Sequence, residues 1–579
     1  MHDDQHIVRL LLLDQGLRQG YLYPRWVDGL GFGFGYPLYN FYPPLIYYTA
    51  ELFHLIGFSL IWSVKLTFIL GFYLGALGIY FLVKKLTNRL SGFLSATLYT
   101  YFFYHAVLIY VRGALAEFFS LAILPFVFLT FHNLANKPNK LDAIFFGITL
   151  AFLILTHPLI AVPSVFFLLV LFALYLLLNK NRSLFILFTC LGIFVGISLS
   201  AFFWMPSVWE RKYTLVDKIL TAELASYKLH YIYLQQFIYS PWGYGGSGVG
   251  LTDGMTFQLG KIHIGLSILS VLVAFVYFVK KRKLNFSISY YLLTIIFLLF
   301  SLFMTTEYSS FIWDRVKYLW YLQFPWRFLT FAAIFISIVG GYFVFFLSRL
   351  LHQLITPDRW NVAISHSHPV TKYGVNSSGN PELNRFRIKS GMILVVVIVI
   401  TFTIFTYQKY FKPQRFIVIA DKERTSYEEI TWGISRTSYE FVPKGVKTKK
   451  SDLNTTILAI EKKDLPKKTY DLLSGDADVR ILENKFQNKK FFIDAKNPAR
   501  FRLNTYHFPG WKAYLNSKEI SIDDKNDLKL ITIRVPSGKY ILNFSFRDTF
   551  IRSFSNAFTL GGFVLIALVL VLQFKKVYG

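Results

Sequence analysis

Two adjacent carboxylates, Asp3 and Asp4, open the chain, with His2 before them and His6 just after. Residues 5–19 carry helical apolar spacing through Ile7, Leu10, Leu11, Leu13 and Leu17. That places the acid pair at or near a helix N-terminus, where the dipole favours negative charge. Such a pair at a membrane surface can hold a hard divalent cation or serve as a general base; the plain alternative is a solvated cap. A second acid, Glu117, starts an otherwise apolar stretch five residues after Arg112. An ionisable group there is costly to desolvate and marks a functional candidate by default, unless it is an interfacial carboxylate paired with Arg112. His157, in Thr156-His157-Pro158, sits at another span end, where a structural role is the alternative. Arg327 follows the aromatic run Trp320-Tyr321-Leu322-Gln323-Phe324-Pro325-Trp326. It can snorkel to lipid phosphates or bind the phosphate of a lipid-linked substrate. The Gly-rich stretch 243–250 lacks the spacing and lysine of a nucleotide loop. The single cysteine, Cys190, allows neither an intramolecular disulfide nor a cysteine-based metal site.

The elements that must position these groups follow from composition. Of 579 residues, 54% are hydrophobic, 19% aromatic and 16% charged, against about 25% charged in a soluble domain. Disorder, a fibre and an ordinary water-soluble enzyme are excluded. The net charge of +28 would suggest nucleic acid in a soluble chain, but the Lys and Arg excess of cytoplasmic membrane loops accounts for it, so no nucleic-acid partner is expected. Eleven apolar runs suit membrane spans of about 20 residues, near 63–83, 90–110, 114–132, 141–156, 159–178, 184–204, 262–279, 287–304, 327–349, 390–407 and 556–573. Basic residues gather in alternate connections, such as Lys84, Lys85 and Arg89, or Lys280 to Lys283. By the positive-inside rule these are cytoplasmic, which leaves residues 1–62, 205–261 and 408–555 extracytoplasmic. Residues 43–58 read as a helix at the outer interface, because counting them as a span would invert every later loop. A chain that starts outside suggests a further span upstream of Met1.

Between the last two spans the pattern changes. Alternation appears in 501–506, 530–535 and 540–546, separated by Pro509-Gly510, Asn516-Ser517 and Pro536-Ser537-Gly538. That reads as a small antiparallel sandwich. Residues 350–389, rich in Ser, Asn, Gly, Pro and His, read as a flexible cytoplasmic loop. The expected class is therefore mainly α: a polytopic transmembrane bundle with an external, mostly β domain before the last span. Its parts are a first external loop (1–62), a helical core (63–410), a β-rich domain (411–552) and a last helix (553–579).

The order of motifs resembles the GT-C class of polytopic glycosyltransferases. The acid pair is followed by Pro24-Arg25-Trp26, Gly35-Tyr36-Pro37 and Tyr42-Pro43-Pro44, then Glu117, then Phe324-Pro325-Trp326-Arg327. With Ser438-Tyr439-Glu440-Phe441-Val442-Pro443 and Pro509-Gly510-Trp511, the chain is most similar to the bacterial membrane family labelled 6-pyruvoyl-tetrahydropterin synthase related, with YfhO-like proteins as cousins. The label is misleading, since nothing here resembles a soluble pterin synthase. The resemblance implies transfer of a sugar from a polyprenyl-phosphate donor to a glycan, lipid or protein acceptor at the outer face of the cell membrane. Asp3 or Asp4 would be the general base and Glu117 a second acid aiding the acceptor or a divalent cation. Arg327, with Arg112 and Arg25, would meet the donor phosphate, and His157 and His6 are further substrate or metal candidates. Two rivals remain at this level: a flippase for lipid-linked saccharide, which needs polar groups in mid-span, and a scaffold that displays the β-domain, in which the three acids need not converge.

Overall fold

The computed structural model describes residues 3–220, 225–281, 286–355, 381–452 and 455–578; His2 lies outside them. Among the described residues nine helices are long and apolar enough to cross a bilayer, from Leu60–Leu86 to Phe550–Gln573. The candidate near 90–110 is a bent pair, Arg89–Thr100 and Phe103–Arg112, with 42° between its halves. The candidate at 141–156 is a helix of 17 residues, Lys140–Thr156. Local chemistry sets several of the starts. Asn88 and Asn139 accept the amides of Ser91 and Asp142 at 2.9 and 3.0 Å, each satisfying a donor that the first turn leaves free.

The expected loop at 350–389 is shorter than its composition suggests. The helix Leu329–Ile355 runs into it from one side and Pro381–Tyr407 begins well before the apolar run at 390. Leu, Arg and Lys around 383–389 are good helix formers, so the helix continues past its apolar part. Residues 356–380 lie outside the described residues.

Burial ranks the spans. The most apolar 18-residue window of Pro325–Gln353 is wholly enclosed and that of Leu115–Asn136 is 83% enclosed, whereas those of Phe386–Tyr410 and Phe550–Gln573 are only 17% and 22% enclosed. The first two form the centre of the bundle, and Arg327 and Glu117 stand at their N-terminal ends. Helices Lys140–Thr156 and Arg182–Leu199 pack through glycines. A Cβ on Gly192 would lie 2.8 Å from Ala143 O, and one on Gly196 would lie 3.0 Å from Gly147 O. Gly192 and Gly196 form the small-xxx-small spacing that lets membrane helices approach closely. Gly192→Leu therefore forces these two helices apart and destabilises the fold by about 1–3 kcal/mol, readable as earlier thermal unfolding in detergent.

The β-rich region is a sandwich. A five-stranded sheet contains Ala477–Lys485, Asn488–Ala495, Gly538–Phe546, Trp511–Leu515 and Lys518–Ile520 in that spatial order. It faces a three-stranded sheet of Tyr470–Ser474, Ala499–Tyr506 and Leu530–Val535. Phe491 and Phe544 of the first meet Phe501 of the second at ring separations of 5.2 and 5.9 Å.

Parts of the first 62 residues pack on the β-rich region. Helix His6–Arg18 and the Gly-rich turn lie against the sandwich and the segment 421–443. Trp26 packs edge-on to Trp511 at 5.6 Å, and Tyr506 N–H donates to Phe34 O at 2.9 Å. Gly35 has φ +83°, and a Cβ there would strike the Trp26 ring at 2.6 Å, so the Gly-Tyr-Pro motif exists to let this turn close on Trp26. Helix Leu45–Leu55 leaves Leu52 and Leu55 exposed beside the start of Leu60–Leu86.

Candidate functional site

The site is assembled at the head of the two central helices. Helix Phe103–Ala106 widens into a π-helix over Val107–Arg112, which ends at Gly113 with φ +69°. Ala114 N–H then reaches back to Leu108 O at 2.8 Å. The extra residue in the turn re-aims Arg112, a usual role of π-bulges at functional sites. Glu117 falls in the first turn of Leu115–Asn136, where a carboxylate is favoured by the free amides.

Arg112 Nη1 donates to Glu117 Oε2 at 2.6 Å and Arg327 Nε donates to the same oxygen at 3.1 Å. The Tyr104 hydroxyl donates to Glu117 Oε1. Glu117 is 2% exposed and both arginines 8%, so the attraction is little screened. Two cations share one anion, and the buried triad keeps a net positive charge. The Phe-Pro-Trp-Arg motif supplies its floor. Phe324 and Trp326 stack at 4.7 Å, Arg112 lies 4.6 Å over the Trp326 ring and Arg327 lies 5.1 Å over Phe324. Aromatic faces favour these cations without neutralising them.

The backbone before the motif is strained. Gln323 has φ 62° and ψ −45°, with Phe324 N–H bonded to Leu322 O at 2.6 Å. This is the rare form of γ-turn, and such conformations persist where surrounding structure imposes them. Its consequence is visible: Leu322 O faces Arg327 Nη1 at 2.6 Å and fixes the guanidinium.

Asp3 approaches from the first segment. Its backbone N–H donates to Arg112 O at 2.8 Å, and its carboxylate acts electrostatically on Arg112 and His6. Among the described residues no ion pair or side-chain hydrogen bond engages that carboxylate, which is half-buried. His157 caps Pro158–Leu178 by accepting Ile160 N–H at 3.2 Å, within electrostatic range of Glu117 and Arg327. Of the residues singled out in the sequence, Asp3, Arg112, Glu117, His157 and Arg327 thus gather in one place.

Asp4 and Arg25 do not join them. Asp4 turns to Arg424 at 3.4 Å, which also holds Glu429 at 3.1 Å. Arg25 is buried among Asn40, Phe202 O and Asn556 at 3.3, 2.8 and 3.1 Å, beside Asp548. The helix His6–Arg18 lies between the acid pair and Arg25 and, at 13 residues, spans about 20 Å, which carries Arg25 away from the acids. His6 is near the site, but both ring nitrogens are engaged, Nδ1 with Tyr47 Oη at 3.0 Å and Nε2 with Gly113 O at 2.9 Å.

Burial lowers the His6 pKa to about 4, against 6.5 in the unfolded chain. Between those values the unfolded state binds the extra proton, so stability rises with pH and is lost as pH falls from 6.5 to 4. The share due to His6 is on the order of 3 kcal/mol. Melting temperatures of wild type and His6→Gln between pH 4 and 7 measure it, and the variant should show the shallower slope.

Three further groups belong to the neighbourhood and were not visible as site residues in the sequence. Tyr104 has no motif around it. Arg9 donates to Ser438 Oγ at 3.0 Å and lies 3.7 Å over the Tyr42 ring. Glu440 is held near Arg9 and Asp3, and burial raises its pKa above the ordinary carboxylate range. The Ser438 to Pro443 run is the signal for these last two: that segment meets the first helix through Arg9 and Ser438 and the Gly-Tyr-Pro turn through Tyr36, whose Oη accepts Phe441 N–H at 3.0 Å.

A divalent cation finds no fitting donor set. Among the described residues no three His, Cys, Asp or Glu side chains gather as metal ligands, and the groups around Asp3 include cations. No curated protein matches the chain. The family model described as a 6-pyruvoyl-tetrahydropterin synthase related domain, a membrane protein, matches residues 39–411. That range includes Arg112, Glu117, His157 and Arg327 and most of the helical bundle. The match covers more than half of the sequence, and the chain belongs to the 6-pyruvoyl-tetrahydropterin synthase related family of membrane proteins.

Proposed function

We propose that this multi-pass membrane protein is a GT-C-type glycosyltransferase, which moves a sugar from a polyprenyl-phosphate donor to an acceptor at the extracytoplasmic rim of the cell membrane. The single observation that carries the reading is the buried pair of arginines sharing one carboxylate, with an Asp3 beside them whose carboxylate has no ion pair or side-chain hydrogen bond among the described residues. The triad's residual positive charge suits a phosphate ester. Asp3 is the general base: its carboxylate takes the proton of an acceptor hydroxyl. The acceptor oxygen bonds to the anomeric carbon as the bond from that carbon to the phosphate oxygen breaks. The departing polyprenyl phosphate keeps the electron pair, and Arg112 and Arg327 stabilise it in a water-poor setting. Glu117, held by two arginines and Tyr104, is a poor base, and its role is to position the two guanidinium groups.

The test is transfer of a labelled sugar from polyprenyl phosphate by the purified chain in lipid. Asp3→Asn should lower turnover by about 10²–10⁴-fold, the usual share of general-base catalysis, while Asp4→Asn changes it by less than about threefold, as a surface ion pair contributes little. Equal rates for wild type and Asp3→Asn would remove the proposed base. Movement of the lipid-linked sugar across the bilayer without transfer would favour the flippase reading instead.

A further inference from the structure

A cavity of about 700 Å³ lies at the junction of the first segment, the sandwich and the last span. None of its lining residues belongs to the arginine–carboxylate cluster. Its upper wall is polar. Arg25 and Asp548 stand 3.7 Å apart there, and Asn556 bridges them, accepting from Arg25 at 3.1 Å and donating to Asp548 at 2.8 Å. Arg25 is enclosed, whereas the Asp548 side chain is 40% exposed. Gln487 also lines this cavity, and its buried amide nitrogen has no hydrogen-bond partner among the described residues. A buried donor left unsatisfied is unfavourable and calls for a missing acceptor. The lower wall is apolar. Leu560 and Phe563 belong to the helix Phe550–Gln573 and are 65% and 58% exposed, which places them against lipid tails.

A polar, charge-paired head wall over an apolar wall open to the bilayer is the shape of a phospholipid site. The charges select the head. An exposed carboxylate repels an anionic head and attracts an ammonium, while the orphaned amide donor and the neighbouring guanidinium suit a phosphate. We infer that this groove binds a zwitterionic phospholipid with a primary ammonium, its phosphate toward Gln487 and Arg25, its ammonium on Asp548 and one acyl chain along Leu560 and Phe563. The preference is specific, because a chain with a net charge of +28 would by general electrostatics collect anionic lipid instead. The site stands independently of the glycosyl-transfer reading.

Native mass spectrometry of the full-length protein in detergent, with equimolar phosphatidylethanolamine and phosphatidylglycerol added, tests it. The wild type should retain phosphatidylethanolamine about tenfold over phosphatidylglycerol; Asp548→Asn should reduce that preference about tenfold, whereas Gln487→Leu, which removes a donor to the phosphate both lipids carry, should lower retention of both about tenfold and leave the preference in place. Gln487→Leu removes an unsatisfied polar group, so the fold survives it, and an unchanged melting temperature without added lipid checks this. Equal retention of the two lipids by the wild type, preference for phosphatidylglycerol, an unchanged preference in Asp548→Asn, or undiminished retention of both lipids by Gln487→Leu overturns the assignment.

Discussion

Arg327→Met slows sugar transfer by about 10²–10³-fold, the range seen when one preorganised donor to a developing negative charge is removed. Methionine fills much of the same volume and keeps the apolar stem against Phe324. The guanidinium is what disappears, and with it one of two charges that would meet the leaving phosphate. Glu117 stays paired through Arg112 at 2.6 Å and through Tyr104, so no buried carboxylate is left alone and the fold is retained. The comparison with Glu117→Gln sharpens the result. That change leaves Arg112 and Arg327 facing each other without a counter-ion, and unpaired buried charges destabilise by about 3–5 kcal/mol. Arg327→Met should therefore be a stable, inactive protein and Glu117→Gln an unstable one. Turnover and chemical unfolding in mixed micelles, measured together, separate the two; full activity of Arg327→Met would refute a phosphate role for this arginine.

An equally large effect on stability is expected at a different ion pair. Arg552 is fully buried and Glu210 is 1% exposed. Arg552 Nη2 and Nε reach Glu210 Oε2 at 2.8 and 3.0 Å, Thr549 donates to Glu210 Oε1 at 2.6 Å, and Asn40 donates to Oε2 at 2.8 Å. Arg552 also donates to Pro509 O at 2.9 Å. One pair thus ties the first segment, the helix Ala201–Glu210, the sandwich and the last span. Arg552→Met strands the Glu210 charge and costs about 3–5 kcal/mol, whereas the double change Arg552→Met with Glu210→Gln recovers most of it, because a buried pair contributes little net but a lone buried charge is expensive. The measurement is a double-mutant cycle of unfolding free energies. A double variant no more stable than Arg552→Met alone would show that the pair acts through packing rather than charge.

These two clusters differ in how far they were legible beforehand. Glu117 and Arg327 stood out because each is an ionisable residue at the edge of an apolar run, and hydrophobicity makes such residues conspicuous. Arg112 stood out because it is the charge of a short connection. Glu210 and Arg552 occupy the same kind of position but pass for ordinary interfacial charges, since nothing local distinguishes an arginine that snorkels from one that is sealed beneath a β-domain. Arg25 shows the reverse error: it lies in a recognisable motif near the acids in sequence, yet the intervening helix His6–Arg18 carries it to the far cavity. Tyr104 could not be singled out from among 37 tyrosines.

The amino-acid sequence by itself determined the elements. Apolar length made the spans, period-two alternation made the sandwich, and Asn and Ser caps and Gly turns set their ends, because each depends on residues within a few positions of one another. Only the tertiary structure decided the partners. Arg327 reaches Glu117 across 210 positions, and Arg552 reaches Glu210 across 342. Which charge neutralises which depends on how the helices are arranged around one another, and that arrangement is fixed by the whole set of packed surfaces, including the glycine contacts and the π-turn, rather than by any local pattern.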